Sequence, residues 1–257
     1  MNKRIYVALI SYIAAVTIAE IVIMHHVAAH PNSPPYAGMC IHAILLLFLI
    51  LYSSLEQEKK FSNLFKVLTL APLIRLLANS TPLVVIQDIY QFFIISIVLV
   101  LAVLLLIENQ GIRKEVVGLK WGDPRVQLTI ALTGFLFGWI EYNILEPSPL
   151  IKNPTPEAIF VAVIVLIVYT GISEELIFRG MILSNAERML GRSIGLIFVS
   201  VLFSVMHIIH QSIVDLAFVF GVGLFYGYIF LKTRSIFGVS LSHGITNVML
   251  LLILPSM

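Results

Sequence analysis

The chain of 257 residues has a mean hydropathy of +1.00, with 59% hydrophobic and only 12% charged residues. Soluble domains carry about 25% charged residues, so this composition excludes a water-soluble globule and indicates a surface that faces lipid. The net charge of +2 gives no reason to expect nucleic acid as a partner, and the single cysteine, Cys40, excludes an intrachain disulfide.

Nine apolar segments approach the roughly 20 residues that a helix needs to cross a bilayer. They predict an all-α, polytopic bundle of about eight or nine transmembrane helices. The third segment is the weakest, because it contains Pro72 and Arg75. The segments are Arg4–Ala28, Ala37–Leu55, Phe65–Val84, Ile89–Ile107, Val126–Leu145, Pro156–Phe178, Ser193–Ile209, Ile213–Leu231 and Ile236–Leu254.

The distribution of basic residues predicts the orientation of these spans. Lys and Arg accumulate on the cytoplasmic side of a membrane, so Lys3 and Arg4 place the N-terminus inside. The first span lacks a cleavage pattern at its end, and we expect it to be retained. The basic stretches between later spans fall inside only if the third segment crosses, which favours nine crossings. The basic stretch Gly111–Arg125 predicts a short amphipathic element on the cytoplasmic face.

Three ionisable residues fall within the sixth span and its end: Glu174, Glu175 and Arg179. Each unpaired charge costs about 2.5–3.5 kcal/mol at the centre of a span. Glu175 and Arg179 are four residues apart, so they can pair on one helix face and be purely structural. Glu174 points about 100° away and has no cation within its own turn. It suits a general base or acid, or a protonated carboxyl that is hydrogen-bonded between helices.

Each of two later spans carries a histidine and a second residue four positions away from it. Phe203 and His207 are four residues apart, as are His243 and Asn247. Taken alone, each pair is compatible with core packing or with hydrogen bonds between helices. Taken together with Glu174, they supply an acid, an imidazole and two donors on three helices. Peptide hydrolysis requires such groups, to activate a water and to stabilise the tetrahedral anion.

These residues carry a family resemblance. Glu174 to Arg179 fits the pattern E-E-x-x-x-R, Phe203 to His207 fits F-x-x-x-H, and His243 to Asn247 fits H-x-x-x-N. The ordered triple resembles the CAAX protease and bacteriocin-processing (Abi) family of intramembrane endopeptidases, which includes the Rce1-type enzymes. The resemblance implies a protease core at residues 111–257, preceded by an N-terminal transmembrane extension at residues 1–110.

The resemblance also implies a role for each motif residue. Glu174 would activate water with His207 as its partner, and His243 with Asn247 would line the oxyanion side. Glu175 and Arg179 would shape and neutralise the site, with Phe203 in support. No cofactor is predicted, although zinc is an option; Glu174, His207 and His243 would then be its ligands. No H-E-x-x-H pair demands a metal.

Glu174 and His207 can meet only if they lie at the same depth in the membrane, and this requires a particular length of the sixth helix. Glu174 lies near the inner end of its predicted span, whereas His207 lies nearer the outer end of the next one. A sixth helix that continues past Arg179 would bring them level, and it would need a water-filled cavity around that arginine. Residues 155–190 contain no proline after Pro156, which allows this extension.

Other polar residues in the spans are assigned structural roles. Glu20 and Glu141 are expected to hydrogen-bond neighbouring helices, with a place in the cavity as the alternative. His210 is expected at the wet interface of the membrane. The chain ends soon after Asn247, so we expect no span corresponding to one that follows this motif in Rce1-type members.

The predicted function is therefore an intramembrane endopeptidase in a multi-pass membrane protein, expected in a prokaryotic cell membrane. Its expected partners are membrane lipids and a peptide or lipidated protein tail as substrate. An ion-coupled transporter is one alternative, since buried acids and histidines relay ions. A catalytically inactive, peptide-binding immunity protein is another. The substrate and the oligomeric state do not follow from the sequence.

Overall fold

The computed structural model describes residues 3–31, 33–80, 88–151 and 155–257. Within these ranges the chain is helical without strands, and nine helices are long and apolar enough to cross a membrane. The all-α transmembrane bundle is thereby confirmed, and the chain is an integral membrane protein. The helices are α1 Lys3–Ala29, α2 Tyr36–Leu55, α3 Lys59–Ser80, α4 Ile89–Gln110, α5 Pro124–Leu145, α6 Pro156–Leu190, α7 Arg192–His210, α8 Ile213–Thr233 and α9 Phe237–Ser256.

Helix α3 begins at Lys59, earlier than the predicted start at Phe65. Its first part, Lys59–Leu68, is amphipathic: one apolar face is buried, whereas Lys59 and Lys60 are exposed to solvent. The apolar pattern predicts a start at Phe65, but the buried face of this part extends the helix back to Lys59. A turn at Thr69 joins this part to Leu70–Ser80. The predicted end at Val84 lies outside the described residues.

Helix α6 continues to Leu190, past the predicted end at Phe178. The extension is stable because its residues are buried, among them Met181, Ile182 and Leu183. Gly191 ends the helix with a φ of +82°, a conformation that glycine adopts without strain. The longer sixth helix that the depth of the site required is thus present.

The basic stretch between α4 and α5 is built from turns in the structure and contains no helix. Val117 is fully buried, and Gly118, with a φ of +81°, accepts a hydrogen bond from the Ile236 amide at 3.1 Å. Trp121 stacks on Phe237 with ring centroids 4.2 Å apart. The stretch therefore packs against the start of α9 through apolar side chains while its charges stay exposed.

The main hydrophobic core draws on both ends of the chain. It contains Ile5 and Leu64 from the N-terminal helices together with Ile177 and Phe230 from the C-terminal ones. The division into an extension at residues 1–110 and a core at residues 111–257 stays a prediction.

Glycines allow α6 and α9 to cross at close range. A Cβ atom at Gly171 would lie 2.5 Å from the Ser240 carbonyl oxygen, and one at Gly244 would collide with the Cα of Ile167. Small residues that permit such close approach are typical of helix contacts in membranes.

Two π-helical stretches, Val165–Gly171 and Leu176–Leu183, flank the short α-helical segment Ile172–Glu175. Local π turns are frequent at functional sites, and here they surround both glutamates.

Candidate active site

Glu175 is the centre of a buried ion network. Its Oε1 atom accepts hydrogen bonds from Arg179 Nη1 at 2.7 Å and from His243 Nδ1 at 2.8 Å. The side chain is fully buried, and its Oε2 atom has no hydrogen-bond partner among the described residues. The predicted pairing with Arg179 is present, and it extends to a histidine that is distant in the sequence.

Arg179 is held by protein groups, contrary to the expectation of a water-filled cavity around it. Its side chain is only 1% exposed. The guanidinium lies 4.4 Å from the Phe203 ring centroid and 5.4 Å from that of Tyr226, and Nη2 donates to the Gly223 carbonyl oxygen. Aromatic faces and a carboxylate stabilise a desolvated guanidinium, so water is not needed there.

Glu174 lies in the short α-helical segment Ile172–Glu175, and its side chain is not enclosed by protein as that of Glu175 is. Its side chain is 33% exposed, and Oε2 lies 3.8 Å from His243 Nε2. His243 therefore stands between two carboxylates, with Nδ1 bound to Glu175 and Nε2 turned towards Glu174. Among the described residues, this imidazole is the one ion-pair partner of the Glu174 carboxylate.

His207 lies where α7 leaves α-helical geometry, after the segment Arg192–Val205. Its Nδ1 atom bonds to the Phe203 carbonyl oxygen at 2.8 Å. A carbonyl only accepts, so Nδ1 carries the proton in this bond and the Nε2 lone pair is left for another partner. Phe203 contacts both site histidines, with ring centroids 4.8 Å from His207 and 5.9 Å from His243.

Asn247 lies one turn beyond His243 on α9. Its Nδ2 atom donates to Thr170 Oγ1 across a distance of 3.4 Å. The Thr170 hydroxyl in turn donates to the Leu166 carbonyl oxygen within the π-helical part of α6. The Asn247 amide is therefore oriented by the Thr170 hydroxyl, which is itself held by its hydrogen bond to Leu166.

A cavity of about 330 Å³ joins these side chains. Glu174, His207, His243 and Asn247 all contribute to its wall. Glu175 and Arg179 do not line it and stand behind His243. The other lining residues are mainly apolar: Ile74, Phe92, Leu166, Phe178, Met206, Ile209, Leu250 and Leu251.

The sequence did not assign Arg75 to the site, although this arginine lines the cavity. Its Nε atom lies 2.7 and 2.9 Å from the two carboxylate oxygens of Glu20, and Nη2 donates to the Met206 carbonyl oxygen. Glu20 also bonds to His42 at 3.1 Å. Its charge within the third predicted span was visible in the sequence. Whether the side chain faces the cavity, however, depends on how the helices pack.

Possible metal ligands form one cluster, and it differs from the predicted set. Among the residues that the structure describes, Glu141, His210 and Asp215 are the only group of three whose ligand atoms lie within 4.8 Å of one another. The predicted zinc ligands Glu174, His207 and His243 do not form such a group. Glu141 and His210 line the cavity, whereas no sequence motif pointed to Asp215.

Comparison with protein families matches residues 156–249 to the type II CAAX prenyl endopeptidase, Rce1-like, family model. No curated protein and no solved structure matches the chain. The matched segment covers more than a third of the chain and contains all three motifs. It confirms the resemblance on which the site was predicted, and the family implies protease activity. Residues 156–249 of this integral membrane protein are thus an Rce1-like segment.

Proposed function

We propose that this protein is an intramembrane endopeptidase that hydrolyses a peptide bond with a water activated by Glu174. One observation carries the proposal: Glu174, His207, His243 and Asn247, from three separate helices, line a single cavity. An unpaired carboxylate beside an imidazole and an amide is a set that can activate water and hold an oxyanion.

The ion network behind the cavity supports these roles. The Glu175 carboxylate fixes the His243 ring through Nδ1, so Nε2 faces the cavity beside Glu174. When the ring carries both protons, Nε2–H is a donor for an oxyanion, and Asn247 Nδ2 is a second. Donors that are held in place before the reaction need no reorganisation when negative charge develops.

In the proposed hydrolysis, Glu174 and His207 act on the same water molecule. Glu174 accepts a proton from water while the water oxygen attacks the carbonyl carbon of the substrate, and the Nε2 lone pair of His207 orients the same water. The tetrahedral anion then collapses, the C–N bond breaks, and the proton passes from Glu174 to the leaving nitrogen. The products are a carboxylic acid and an amine, and Glu174 returns to its initial state.

The apolar wall of the cavity fits the substrate class that the family suggests. Aromatic and aliphatic side chains such as Phe92, Phe178 and Leu250 would contact an apolar tail, while the motif residues would contact the scissile bond. We therefore assign the substrate to peptides or membrane-anchored protein tails of the CAAX type, including lipidated ones.

The test is cleavage of a fluorogenic farnesylated CAAX peptide, beside its unlipidated counterpart, by the purified protein. Glu174→Gln removes the base and is expected to reduce kcat by about 10²–10⁴-fold. Glu157→Gln is the matched control, because Glu157 is exposed in the first turn of the same helix. Unchanged turnover in the Glu174 variant would exclude its role, and tight peptide binding without cleavage by the wild type would favour the inactive, peptide-binding alternative.

A further inference from the structure

Three side chains outside the proposed catalytic set converge on one point at the wall of the cavity. Glu141 comes from α5, His210 from the end of α7, and Asp215 from the first turn of α8. One ligand atom of each lies within 4.8 Å of the other two. His210 Nδ1 and Asp215 Oδ2 are 2.9 Å apart.

The cluster has more negative charge than its protein neighbours balance. Asp215 is fully buried and Glu141 is 8% exposed. No lysine or arginine forms an ion pair with either carboxylate among the described residues, and the half-exposed His210 is the one basic partner. Two carboxylates that are close together in a desolvated place require a further cation or proton.

Unused oxygen atoms give the second indication of a ligand. Asp215 Oδ1 is buried and has no hydrogen-bond partner in the described part of the chain. The Glu141 carboxylate likewise has no hydrogen bond or ion pair within the described ranges, although it faces the cavity. Buried polar atoms are nearly always satisfied, so the unbonded Asp215 Oδ1 atom indicates a missing partner.

We propose that Glu141, His210 and Asp215 bind one divalent first-row transition metal ion, with Zn²⁺ or Mn²⁺ as the matching chemistry. Imidazole suits zinc, and carboxylates suit both ions. Three protein ligands leave a coordination position open, and Glu141 and His210 place it on the cavity side. This site is separate from the Glu174, His207 and His243 set, and it goes beyond the proposed proteolysis.

Such an ion would tie together three helices around the catalytic histidine. His207 and His210 belong to the same turn, and their ring centroids are 5.5 Å apart. Gln211, with a φ of +58°, ends that turn, and Ser212 caps α8 by accepting a hydrogen bond from the Asp215 amide. A metal bound to His210 and Asp215 would therefore fix the position of His207.

The experiment measures metal binding on the full-length protein in detergent. The protein is stripped with a chelator, dialysed against Zn²⁺ or Mn²⁺, and examined by elemental analysis and titration calorimetry. We expect one ion per chain in the wild type. Removal of outer-shell partners alone reduces metal affinity about 10–100-fold, so His210→Ala and Asp215→Asn are expected to reduce it at least as much.

The controls separate this site from the catalytic one. Glu174→Gln and His25→Ala, a variant at an exposed histidine, should keep the wild-type stoichiometry. Thermal stabilisation by Zn²⁺ should be lost only in the cluster variants. If Asp215→Asn does not fold, His210→Ala decides, because its side chain is 34% exposed in a turn. A wild type without stoichiometric metal, or undiminished affinity in the cluster variants, overturns the proposal. Neither result depends on whether peptides are cleaved.

Discussion

Two buried ion networks in this protein use the same three residue types. In the N-terminal helices, Glu20 bonds to Arg75 at 2.7 Å and to His42 at 3.1 Å. In the C-terminal helices, Glu175 bonds to Arg179 at 2.7 Å and to His243 at 2.8 Å. Both glutamate side chains are fully buried.

The networks differ in what stands next to the histidine. His42 is fully buried, and its Nδ1 atom has no partner within the described chain. His243 instead turns Nε2 towards a second carboxylate, Glu174, at the wall of a cavity. A glutamate paired with an arginine and a histidine is therefore a means of burying charge. Because the first network also reaches the cavity through Arg75, the second is distinguished by the Glu174 carboxylate that stands beside its histidine.

The largest expected effect comes from removing the central carboxylate of each network. Glu175→Gln leaves the buried Arg179 unbalanced and should lower the free energy of unfolding by about 3–5 kcal/mol. Glu20→Gln should lower it less, because the Arg75 side chain is 15% exposed and lines the cavity. We expect Glu175→Gln to abolish cleavage of the lipidated peptide as well, because His243 loses its support. Thermal denaturation in detergent and single-turnover kinetics measure both effects. Equal losses of activity in the two variants would contradict the assignment of only the Glu175 network to the active site.

The histidines give the next largest contrast. His243→Ala removes a proposed oxyanion donor, and loss of one such donor costs about 10²–10³ in kcat. His42→Ala is the matched control, because His42 has the same kind of glutamate partner but does not line the cavity. We expect that variant to keep kcat within a few-fold of the wild type at temperatures where it stays folded. A comparable loss in both would assign His243 a structural role.

The smallest effect on stability and activity is expected where α6 and α9 cross, because this crossing brings Glu175 and His243 together. Gly244→Ala places a methyl group against the Ile167 backbone, and such overpacking costs about 1–3 kcal/mol. Gly221→Ala is its control, since open space surrounds that position and alanine favours a helix by about 0.5–1 kcal/mol over glycine. Peptide cleavage should fall in the first variant alone. Normal kinetics in Gly244→Ala would show that His243 tolerates a shift of α9.

The helices and the motif residues could be predicted because they depend on local patterns. Apolar runs near the thickness of a bilayer predict spans, and four-residue spacings place Glu175 with Arg179 and His243 with Asn247 on common faces. The boundaries were less certain where burial overrides polarity, as at Lys59 in α3, or where burial extends a helix past a charge, as at Arg179 in α6.

The sequence by itself determined that this is an all-helical membrane protein with a carboxylate, two histidines and an amide in its spans. Only the tertiary structure decided that His243 lies between the two glutamates, that Arg75 reaches across to Met206, and that Glu141 meets Asp215. The reason is physical: helical spacing fixes contacts within a few turns, whereas contacts between distant segments depend on how closely the helices cross. Where α6 and α9 cross, that distance is set by Gly171 and Gly244.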